Sequence, residues 1–349
     1  MARASVAFYQ HQACGRHDTG WRHPEHQGRL RSVAEAVARA LPELHGRVEP
    51  ARADPLPDEA LGAVHQEKLL ARIRDAVKEA EHRGEPVHLT PDTTVSAASW
   101  EAAAAAAGCA VHAVEAVCSG ERTAAFCATR PPGHHATPGR SMGFCLVNHV
   151  ALAARHAVDR GLAGRVLVVD WDVHHGNGTQ DIFWEDPDVF YLSMHQSPHY
   201  PGTGDTEERG AGPGEGTTLN VPLPPGLSTS RYEQELLAAV ERALEGFEPE
   251  LVLVSAGFDS GRGDPLGGFT LEEESYHRLT TELVRLTRPT ARGRVVSVME
   301  GGYDAERLGT LAVSHLRGLA DAADAAGEAE AGDAGPADPE PRRPGEEGS

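Results

Sequence analysis

Short apolar runs alternate with longer amphipathic stretches along most of the chain. Apolar runs between turn signals are typical of buried parallel strands, and apolar positions three or four residues apart are typical of helices. Strands are predicted at Val6–Tyr9, Ala124–Ala128, Val166–Asp170, Val189–Ser193, Leu251–Ser255 and Val295–Met299. Helices are predicted at Arg29–Ala40, Leu69–Arg83, Trp100–Ser119, Ala151–Asp159, Thr229–Leu244 and Leu271–Leu286. This alternation predicts an α/β fold with a central, mostly parallel sheet flanked by helices.

Residues 1–320 are predicted to form a single domain, because no Pro/Gly-rich linker divides them. Residues 321–349 have a different composition: alanine, glycine, proline and nine acidic residues, without any large apolar side chain. A segment of this kind buries too little apolar surface to order itself. A disordered acidic tail is therefore predicted for residues 321–349.

Histidine, aspartate and tyrosine residues follow the predicted strands at the points where the strands end. The carboxyl ends of parallel strands lie at one edge of a sheet, and open α/β sheets bind ligands there. The residues are His134 and His135, Asp172, His174 and Asn177, Tyr200, Asp259, and Tyr303. The sequence therefore predicts an active site at this edge of the sheet.

The segment from Asp170 to His174 carries the strongest signal for a metal ion. Side chains on a strand alternate between faces, so Asp170, Asp172 and His174 are expected on the same side. Asp172 and His174 would be two ligands and Asp259 the third, which leaves a position open as in catalytic zinc sites. One nitrogen and two oxygens suit ferrous iron as well as zinc, so both metals stay open.

The remaining residues supply the parts of a metal-assisted amide hydrolysis. A bound metal polarises a carbonyl group and acidifies water. His134 and His135 offer an acid or base that titrates near neutrality, and Tyr303 offers a hydrogen-bond donor for an oxyanion. Asp170 and Asn177 would orient the histidines. The alternative is that these residues have structural roles only. Asp259 would then form a turn, His134 and His135 would lie in a solvated turn, and Tyr303 would be an ordinary half-buried tyrosine.

Composition narrows the range of partners. The chain of 349 residues carries a net charge of −20, which argues against nucleic-acid binding and weakly favours cationic partners. The five cysteines form no Cys-x-x-Cys pair, so neither a disulfide framework nor a zinc ribbon is indicated. No apolar stretch approaches the ~20 residues that span a bilayer, and the N-terminus lacks a secretory pattern. A cytoplasmic protein with no membrane partner is expected.

Five motifs, together with the early His23–Leu30 segment, resemble the zinc-dependent histone deacetylase family, in the family's order over roughly residues 5–305. They are Arg130-Pro-Pro-Gly-His-His-Ala136, Gly143-Phe-Cys145, Asp170-Trp-Asp-Val-His-His-Gly-Asn-Gly-Thr-Gln180, Ser255-Ala-Gly-Phe-Asp-Ser260 and Glu300-Gly-Gly-Tyr303. Trp171 and Asn177 resemble the class II branch, which includes bacterial histone deacetylase-like amidohydrolases and acetylpolyamine amidohydrolases.

The resemblance implies an arginase-like α/β fold with zinc held by Asp172, His174 and Asp259. Tyr303 would then bind the acetyl oxygen. His134 would pair with Asp170 and His135 with Asn177; which imidazole accepts the proton of water stays open, with His135 favoured. The resemblance also implies structural potassium. Its first site would use Asp170, Asp172, His174, Ser193 and Met194, and its second would use Phe183, Asp186 and Val189.

The resemblance also bears on the substrate. Gly143, Phe144 and Tyr200 match the walls of the family's acyl-lysine channel, and Tyr303 is retained. Gly261 stands where two-manganese arginase relatives have a further aspartate, so a mononuclear site is expected. Leu266 is apolar at a position where polyamine-selective relatives carry an acidic residue, which favours acetyl-lysine proteins or peptides. Acetylated polyamines remain the alternative, with a catalytically silent acyl-lysine reader as a third hypothesis; an oligomer is possible.

Overall fold

The computed structural model describes residues 6–333, and its centre is an eight-stranded sheet. The strands are β1 Val6–Tyr9, β2 Val48–Ala51, β5 Ala124–Cys127, β6 Val166–Asp170, β7 Val189–Gln196, β8 Thr218–Leu223, β9 Leu251–Ala256 and β10 Val295–Met299. Their order is β2-β1-β5-β10-β9-β6-β7-β8, and each neighbouring pair is parallel. Two short strands, β3 Val87–Thr90 and β4 Thr93–Val95, form a separate antiparallel pair. The predicted α/β fold class is confirmed.

Helices cover both faces of this sheet. They are α1 Gly28–Leu44, α2 Asp58–Leu61, α3 Glu67–Arg83, α4 Ser99–Cys118, α5 His149–Asp159, α6 Asn177–Phe183, α7 Thr229–Leu244, α8 Glu273–Ala291 and α9 Leu308–Asp333. One core lies between the sheet and helices α1, α7, α8 and α9, and a second lies under α3, α4 and α5. Strand β6 shows why both exist: Leu167 and Val169 enter the first core, whereas Val166 and Val168 enter the second. Successive side chains of a strand point to opposite faces of the sheet, so a strand that is apolar throughout needs helices packed on both faces.

Helix α4 is long and apolar enough to cross a membrane by length and composition alone. Within the fold it is a core helix, because 72% of its most apolar window is buried. Its small side chains permit close packing: at Gly108 an added Cβ would collide with the backbone carbonyl of Asp54.

Each of the six predicted strands is present, with ends shifted by three residues at most, the largest shift being at β7. The sequence reasoning missed β2, where Pro50 lies inside the strand, and it missed β8. Both are edge strands of the sheet. Proline is tolerated in an edge strand because the backbone N–H that it lacks needs no partner strand there. A proline within a short run nevertheless argues against a strand when only the sequence is read.

The predicted boundary at residue 320 is wrong, because α9 continues to Asp333. Alanine is the strongest helix former, and Ala322 and Ala323 pack against the core. Asp321 and Asp324 both pair with Arg47, so acidic residues taken as signs of disorder anchor the helix. The rest of the predicted tail, residues 334–349, lies outside the described residues.

Candidate active site

The carboxyl ends of the central strands surround one cavity of about 430 Å³. His135, His174 and Tyr303 line it, and they follow β5, β6 and β10 respectively. Phe144, Tyr200 and Leu266 also line it. In the sheet, Asp170 at the end of β6 lies opposite Ser255 of β9, which in turn lies opposite Val298 of β10. The topology therefore brings the predicted loops together, as the positions of the strands required.

Asp172, His174 and Asp259 form a buried group whose ligand atoms lie within 4.8 Å of one another. Nδ1 of His174 lies 2.9 Å from Oδ1 of Asp172 and 3.3 Å from Oδ2 of Asp259. The backbone fixes both carboxylates: Val173 N donates to Oδ1 of Asp259 at 2.9 Å, and Gly301 N donates to Oδ2 of Asp172 at 2.7 Å. An added Cβ at Gly301 would collide with both carboxylates, so only glycine fits at this approach.

The electrostatics of this group favour a cation. Burial lowers the pKa of His174, but hydrogen bonds and charge from Asp172 and Asp259 outweigh it and raise that pKa to about 10. Burial and the neighbouring Asp172 raise the pKa of Asp259 to about 7. Two carboxylates this close repel each other in a low-dielectric interior, and a shared positive charge relieves the repulsion.

A buried oxygen of Asp259 indicates that these residues fit a metal ion. Oδ2 of Asp259 is buried and accepts no hydrogen bond from any of the residues that the structure describes; Nδ1 of His174 lies 3.3 Å from it. A buried carboxylate oxygen left without a partner is costly unless it binds an ion. One imidazole nitrogen and two carboxylates suit zinc or ferrous iron.

The two adjacent histidines have different partners. Nδ1 of His134 lies 3.0 Å from Oδ2 of Asp170, whereas Nδ1 of His135 lies 2.9 Å from Oδ1 of Asn177. Their rings are 4.0 Å apart, and the His135 ring lies 5.8 Å from that of His174. These are the pairs that the family resemblance implies; the catalytic roles of the residues stay predictions.

The partners give the two imidazoles opposite pKa shifts. Burial lowers the pKa of His134, but the carboxylates of Asp170 and Asp172 outweigh it and raise that pKa well above its ordinary value. Burial and the imidazoles of His134 and His174 lower the pKa of His135 well below its ordinary value. His135 is therefore the neutral member of the pair, since its amide partner supplies no charge.

Glu300 fixes the turn that carries the histidines, a role that the sequence reasoning missed. Its Oε2 accepts from Gly133 N at 2.6 Å and His134 N at 3.2 Å, and its Oε1 accepts from Ser255 Oγ at 3.2 Å. The side chain is fully buried, and burial raises its pKa to about 7. The Glu-Gly-Gly-Tyr motif drew attention to Tyr303, but nothing in it indicated that Glu300 binds backbone donors 166 and 167 residues earlier in the chain.

Tyr303 lies beneath a buried arginine. The guanidinium of Arg29 stacks over the Tyr303 ring at 4.9 Å, and its Nε donates to Gly302 O at 2.6 Å. Arg29 is paired with Glu25 at 3.0 Å, and Glu25 also accepts from Arg130 at 2.7 Å. This buried ion network, through the hydrogen bond from Arg29 to Gly302 O, fixes the turn before Tyr303.

Aromatic walls lead to the cavity floor. Gly143 and Phe144 have φ values of +56° and +68°, and a Cβ at Gly143 would collide with the His135 ring. The Tyr200 hydroxyl donates to Oδ2 of Asp92 at 2.8 Å, and both residues line the cavity. Asp92 was missed because Pro91-Asp92 reads as an ordinary turn between short strands. Glycine at 143 thus lets the aromatic wall lie directly against the ring of His135.

A further imidazole lies beside the predicted ligand His174. The His199 ring stacks on the His174 ring with centroids 4.8 Å apart and an 18° angle between planes. Its Nε2 lies 2.8 Å from Leu266 O, so it donates to that carbonyl. Leu266 and His174 therefore line the same cavity, and the part of Leu266 in substrate binding stays a prediction.

The residues predicted to bind potassium fall into two places. Asp170 and Ser193 are register partners on β6 and β7, and Ser193 Oγ lies 2.9 Å from His195 Nδ1. Phe183 ends α6 and Val189 begins β7, whereas the side chain of Asp186 between them pairs with Arg155. Any ion at the second place would thus rely on backbone carbonyls. Both potassium sites stay predictions, as does the part of Met194, which is fully buried.

Known proteins resemble this chain in sequence and in fold. The family model described as "Histone deacetylase domain" matches residues 23–319. "Histone deacetylase 14, chloroplastic" of Arabidopsis thaliana is 35% identical over 307 residues, which cover 85% of this chain and 73% of the plant protein. The "Histone deacetylase-like amidohydrolase" of Pseudomonas aeruginosa is 37% identical, over 86% of this chain and 77% of its own. The crystal structure of the "HDA15 HD domain" superposes with a TM-score of 0.81 at 33% identity, over 92% of this chain and 89% of that one.

Proposed function

The chain belongs to the histone deacetylase family, a family of deacetylases and amidohydrolases, and we propose that it is a zinc-dependent hydrolase that removes acetyl groups from lysine side chains of proteins or peptides. One observation carries the proposal. A single cavity brings together His135, the tyrosine Tyr303 and a buried group that fits a metal ion. A catalytically silent reader would need none of this convergence.

Asp172, His174 and Asp259 would hold the metal ion. When bound, such an ion supplies a Lewis acid for the acyl oxygen and lowers the pKa of a water molecule. Val173 N donates to one oxygen of Asp259 and Gly301 N to one oxygen of Asp172, so the backbone orients both carboxylates before a metal ion or substrate binds. Preorganised ligands of this kind avoid a reorganisation cost during the reaction.

His135 acts as the general base in this proposal. Asn177 Oδ1 accepts a hydrogen bond from the Nδ1–H group of His135, which leaves Nε2 with a free electron pair beside the cavity. Nε2 removes a proton from water as the water oxygen bonds to the acyl carbon. The same proton passes to the amine nitrogen as the carbon–nitrogen bond breaks. The acetic acid formed gives its remaining proton to the released amine, so acetate and a lysine ammonium group leave. A low pKa keeps this imidazole neutral and ready at physiological pH.

His134 and Tyr303 stabilise charge. His134 retains its proton because Asp170 lies against Nδ1, so it places a positive charge 4.0 Å from the His135 ring. Burial raises the pKa of Tyr303 well above its ordinary value, so its hydroxyl stays protonated and donates to the acyl oxygen as negative charge develops. Arg29 above the ring keeps the phenol in place.

The channel walls suit an alkyl stem. Phe144 and Tyr200 offer aromatic faces, and Leu266 adds an aliphatic one. Aromatic and aliphatic faces bury methylene groups and exclude water. An extended acetyl-lysine side chain fits these needs, with the peptide backbone remaining at the cavity mouth.

Acetylated polyamines are the second candidate, and Asp92 is the observation that favours them. Its carboxylate lines the cavity and stays ionised: burial raises its pKa, but hydrogen bonds from Thr90 and Tyr200 outweigh it. An anionic group at the mouth would attract the second ammonium of a polyamine. Its oxygens already accept from Tyr200 and Gly143, which limits what remains for a ligand.

A substrate panel tests the proposal. The zinc-loaded protein is compared on an acetyl-lysine peptide, N-acetylputrescine and N8-acetylspermidine, with Asp92→Asn as a second enzyme. We expect the highest kcat/KM on the peptide and a similar value for Asp92→Asn. A marked preference for the polyamines that Asp92→Asn removes would establish the second candidate instead. Absence of hydrolysis of every acetylated substrate by the metal-loaded protein would reject both.

A further inference from the structure

Asp264 is a buried carboxylate to which the mechanism above assigns no role. It lies in the loop after β9, five residues beyond the predicted ligand Asp259. Its Oδ2 accepts from Tyr303 N at 2.6 Å and from Asp304 N at 3.1 Å. Its Oδ1 accepts from Leu266 N at 2.9 Å. One side chain thus joins two separate loops that line the cavity.

The backbone around Tyr303 depends on such an anchor. Gly301 and Gly302 precede it, and Gly302 has a φ of +118°, a conformation that only glycine adopts readily. Two glycines restrict the chain very little, so hydrogen bonds must set where the tyrosine begins. Arg29 and Asp172 hold the part before Tyr303, and Asp264 holds the nitrogen of Tyr303 itself.

We propose that Asp264 is a positioning residue that places the Tyr303 hydroxyl for catalysis and fixes the Leu266 wall relative to it. The inference rests on the proposed deacetylase function. A carboxylate has two oxygens, and here both accept, whereas an amide would offer one oxygen and turn an NH2 group toward an N–H donor. In Asp264→Asn the new NH2 group would face a backbone N–H group of one of the two loops. The hydrogen bond to that loop is lost, and the loop moves away from residue 264.

The two loops have separable kinetic consequences. Displacement of the Tyr303 hydroxyl removes an interaction that is made in the transition state, so it lowers kcat. Displacement of Leu266 changes contact with the alkyl stem in both ground and transition states, so it raises KM. A shift of about 1 Å in a catalytic group costs up to ~10²-fold in rate.

A double-mutant cycle tests the first consequence. The kcat and KM for an acetyl-lysine peptide are measured for the wild type, Asp264→Asn, Tyr303→Phe and the double variant, all with equal metal content. We expect Asp264→Asn to lower kcat ~10-fold or more in the wild type and less than ~2-fold in the Tyr303→Phe background. Any rise in KM should persist in both backgrounds. An equal loss of kcat in both backgrounds would overturn the proposal, since a merely structural role acts regardless of the hydroxyl.

Asp304→Asn is the matched control. Asp304 follows Tyr303 directly, and its side chain accepts a hydrogen bond from Glu306 N at 3.0 Å. The same change from aspartate to asparagine, made in the residue next to Tyr303, should leave kcat within ~2-fold of the wild type. A loss equal to that of Asp264→Asn would indicate a general loosening of the loop and would count against a specific role.

A readout independent of turnover separates this proposal from the proposed function. Tyr303 is replaced by 3-fluorotyrosine, and its ¹⁹F NMR signal is recorded in the metal-loaded protein. We expect the signal to shift or broaden in Asp264→Asn and to stay unchanged in Asp304→Asn. An unchanged signal in Asp264→Asn overturns the positioning role even if the enzyme is active. A shifted signal in a protein that hydrolyses no acetylated amine retains the positioning role and rejects the deacetylase function.

Discussion

Oδ1 of Asn177 lies 2.9 Å from Nδ1 of His135, and the amide of the same asparagine donates to the Met142 sulfur at 3.5 Å. The second contact fixes which way the amide faces. Its oxygen therefore accepts from Nδ1, and the imidazole takes the tautomer whose Nε2 is unprotonated. A neutral amide selects the tautomer without adding charge, which a carboxylate could not do.

Asn177→Ala should lower kcat by ~10–100-fold, because loss of an orienting partner leaves the tautomer and ring angle of His135 unselected. Steady-state kinetics with a metal content equal to the wild type measure the loss. Met142→Leu is the control, since it removes the sulfur but keeps the volume and should cost much less. If Asn177→Ala keeps wild-type turnover, the tautomer does not depend on this contact.

His135→Ala and His134→Ala should differ in effect. Loss of a general base costs ~10²–10⁴-fold in rate, whereas loss of a charge that only supports it should cost less. Single-turnover measurements of acetate release compare the two variants, with zinc stoichiometry checked in each. A larger loss for His134→Ala would reverse the assignment and make the Asp170 pair the proton acceptor.

Tyr303→Phe should lower kcat by about 10²-fold or more and leave KM nearly unchanged, because the hydroxyl acts on the oxyanion and the ring keeps its place beneath Arg29. The measurement is turnover of an acetyl-lysine peptide. Phe144→Tyr is the control for a general disturbance of the site. It adds a hydroxyl group to a ring whose centroid lies 5.8 Å from that of Tyr303, and it should lower kcat far less. Near-normal turnover of Tyr303→Phe would remove the hydroxyl from the mechanism.

Zinc should stabilise the protein as well as activate it, because it relieves the repulsion between buried Asp172 and Asp259. At a zinc concentration of 100 times Kd, linkage gives about 2.7 kcal/mol. Thermal unfolding of the metal-free protein with and without zinc measures this gain. Asp259→Asn should lose most of it, while Asp92→Asn at the cavity mouth should keep it. An equal rise in Tm for Asp259→Asn would place the metal elsewhere.

The sequence was informative where chemistry and position coincide. Asp172 and His174 follow a strand whose apolar pattern is unmistakable, so their meeting with Asp259 and Tyr303 follows from the parallel sheet alone. The predicted pairs of the two histidines were available from family resemblance, and the contacts lie where it implied.

The sequence was uninformative where a role depends on a distant partner. Glu300 binds Gly133 N, 167 residues away, and no local pattern encodes that distance. Asp264 resembles an ordinary Asp-Pro turn until its contact with the Tyr303 loop is seen. The same limit explains the error at residue 320: Asp321 contributes to apparent disorder by composition, but Arg47 far earlier in the chain pairs with it.

Glu25 makes stability depend on pH. It is fully buried between Arg29 and Arg130, and although burial raises its pKa, the two guanidinium groups outweigh burial and hold that pKa well below its usual range. A group whose folded pKa is depressed stabilises the fold above its unfolded pKa of about 4.3, and this contribution is lost as pH falls toward the folded pKa. Glu25→Gln should therefore cost about 3–5 kcal/mol near pH 7, as expected for a broken buried pair.

The gap in unfolding free energy between the wild type and Glu25→Gln should be widest above pH ~5 and should narrow below pH ~4, as Glu25 of the unfolded wild type takes up its proton. Urea denaturation at several pH values measures it. Glu101→Gln is the matched control: Glu101 pairs with Arg16 at the surface, where both side chains are about half exposed, so its gap should stay under ~1 kcal/mol throughout. A gap for Glu25→Gln that stays constant between pH 3.5 and 7 would mean that the carboxylate charge does not stabilise this network.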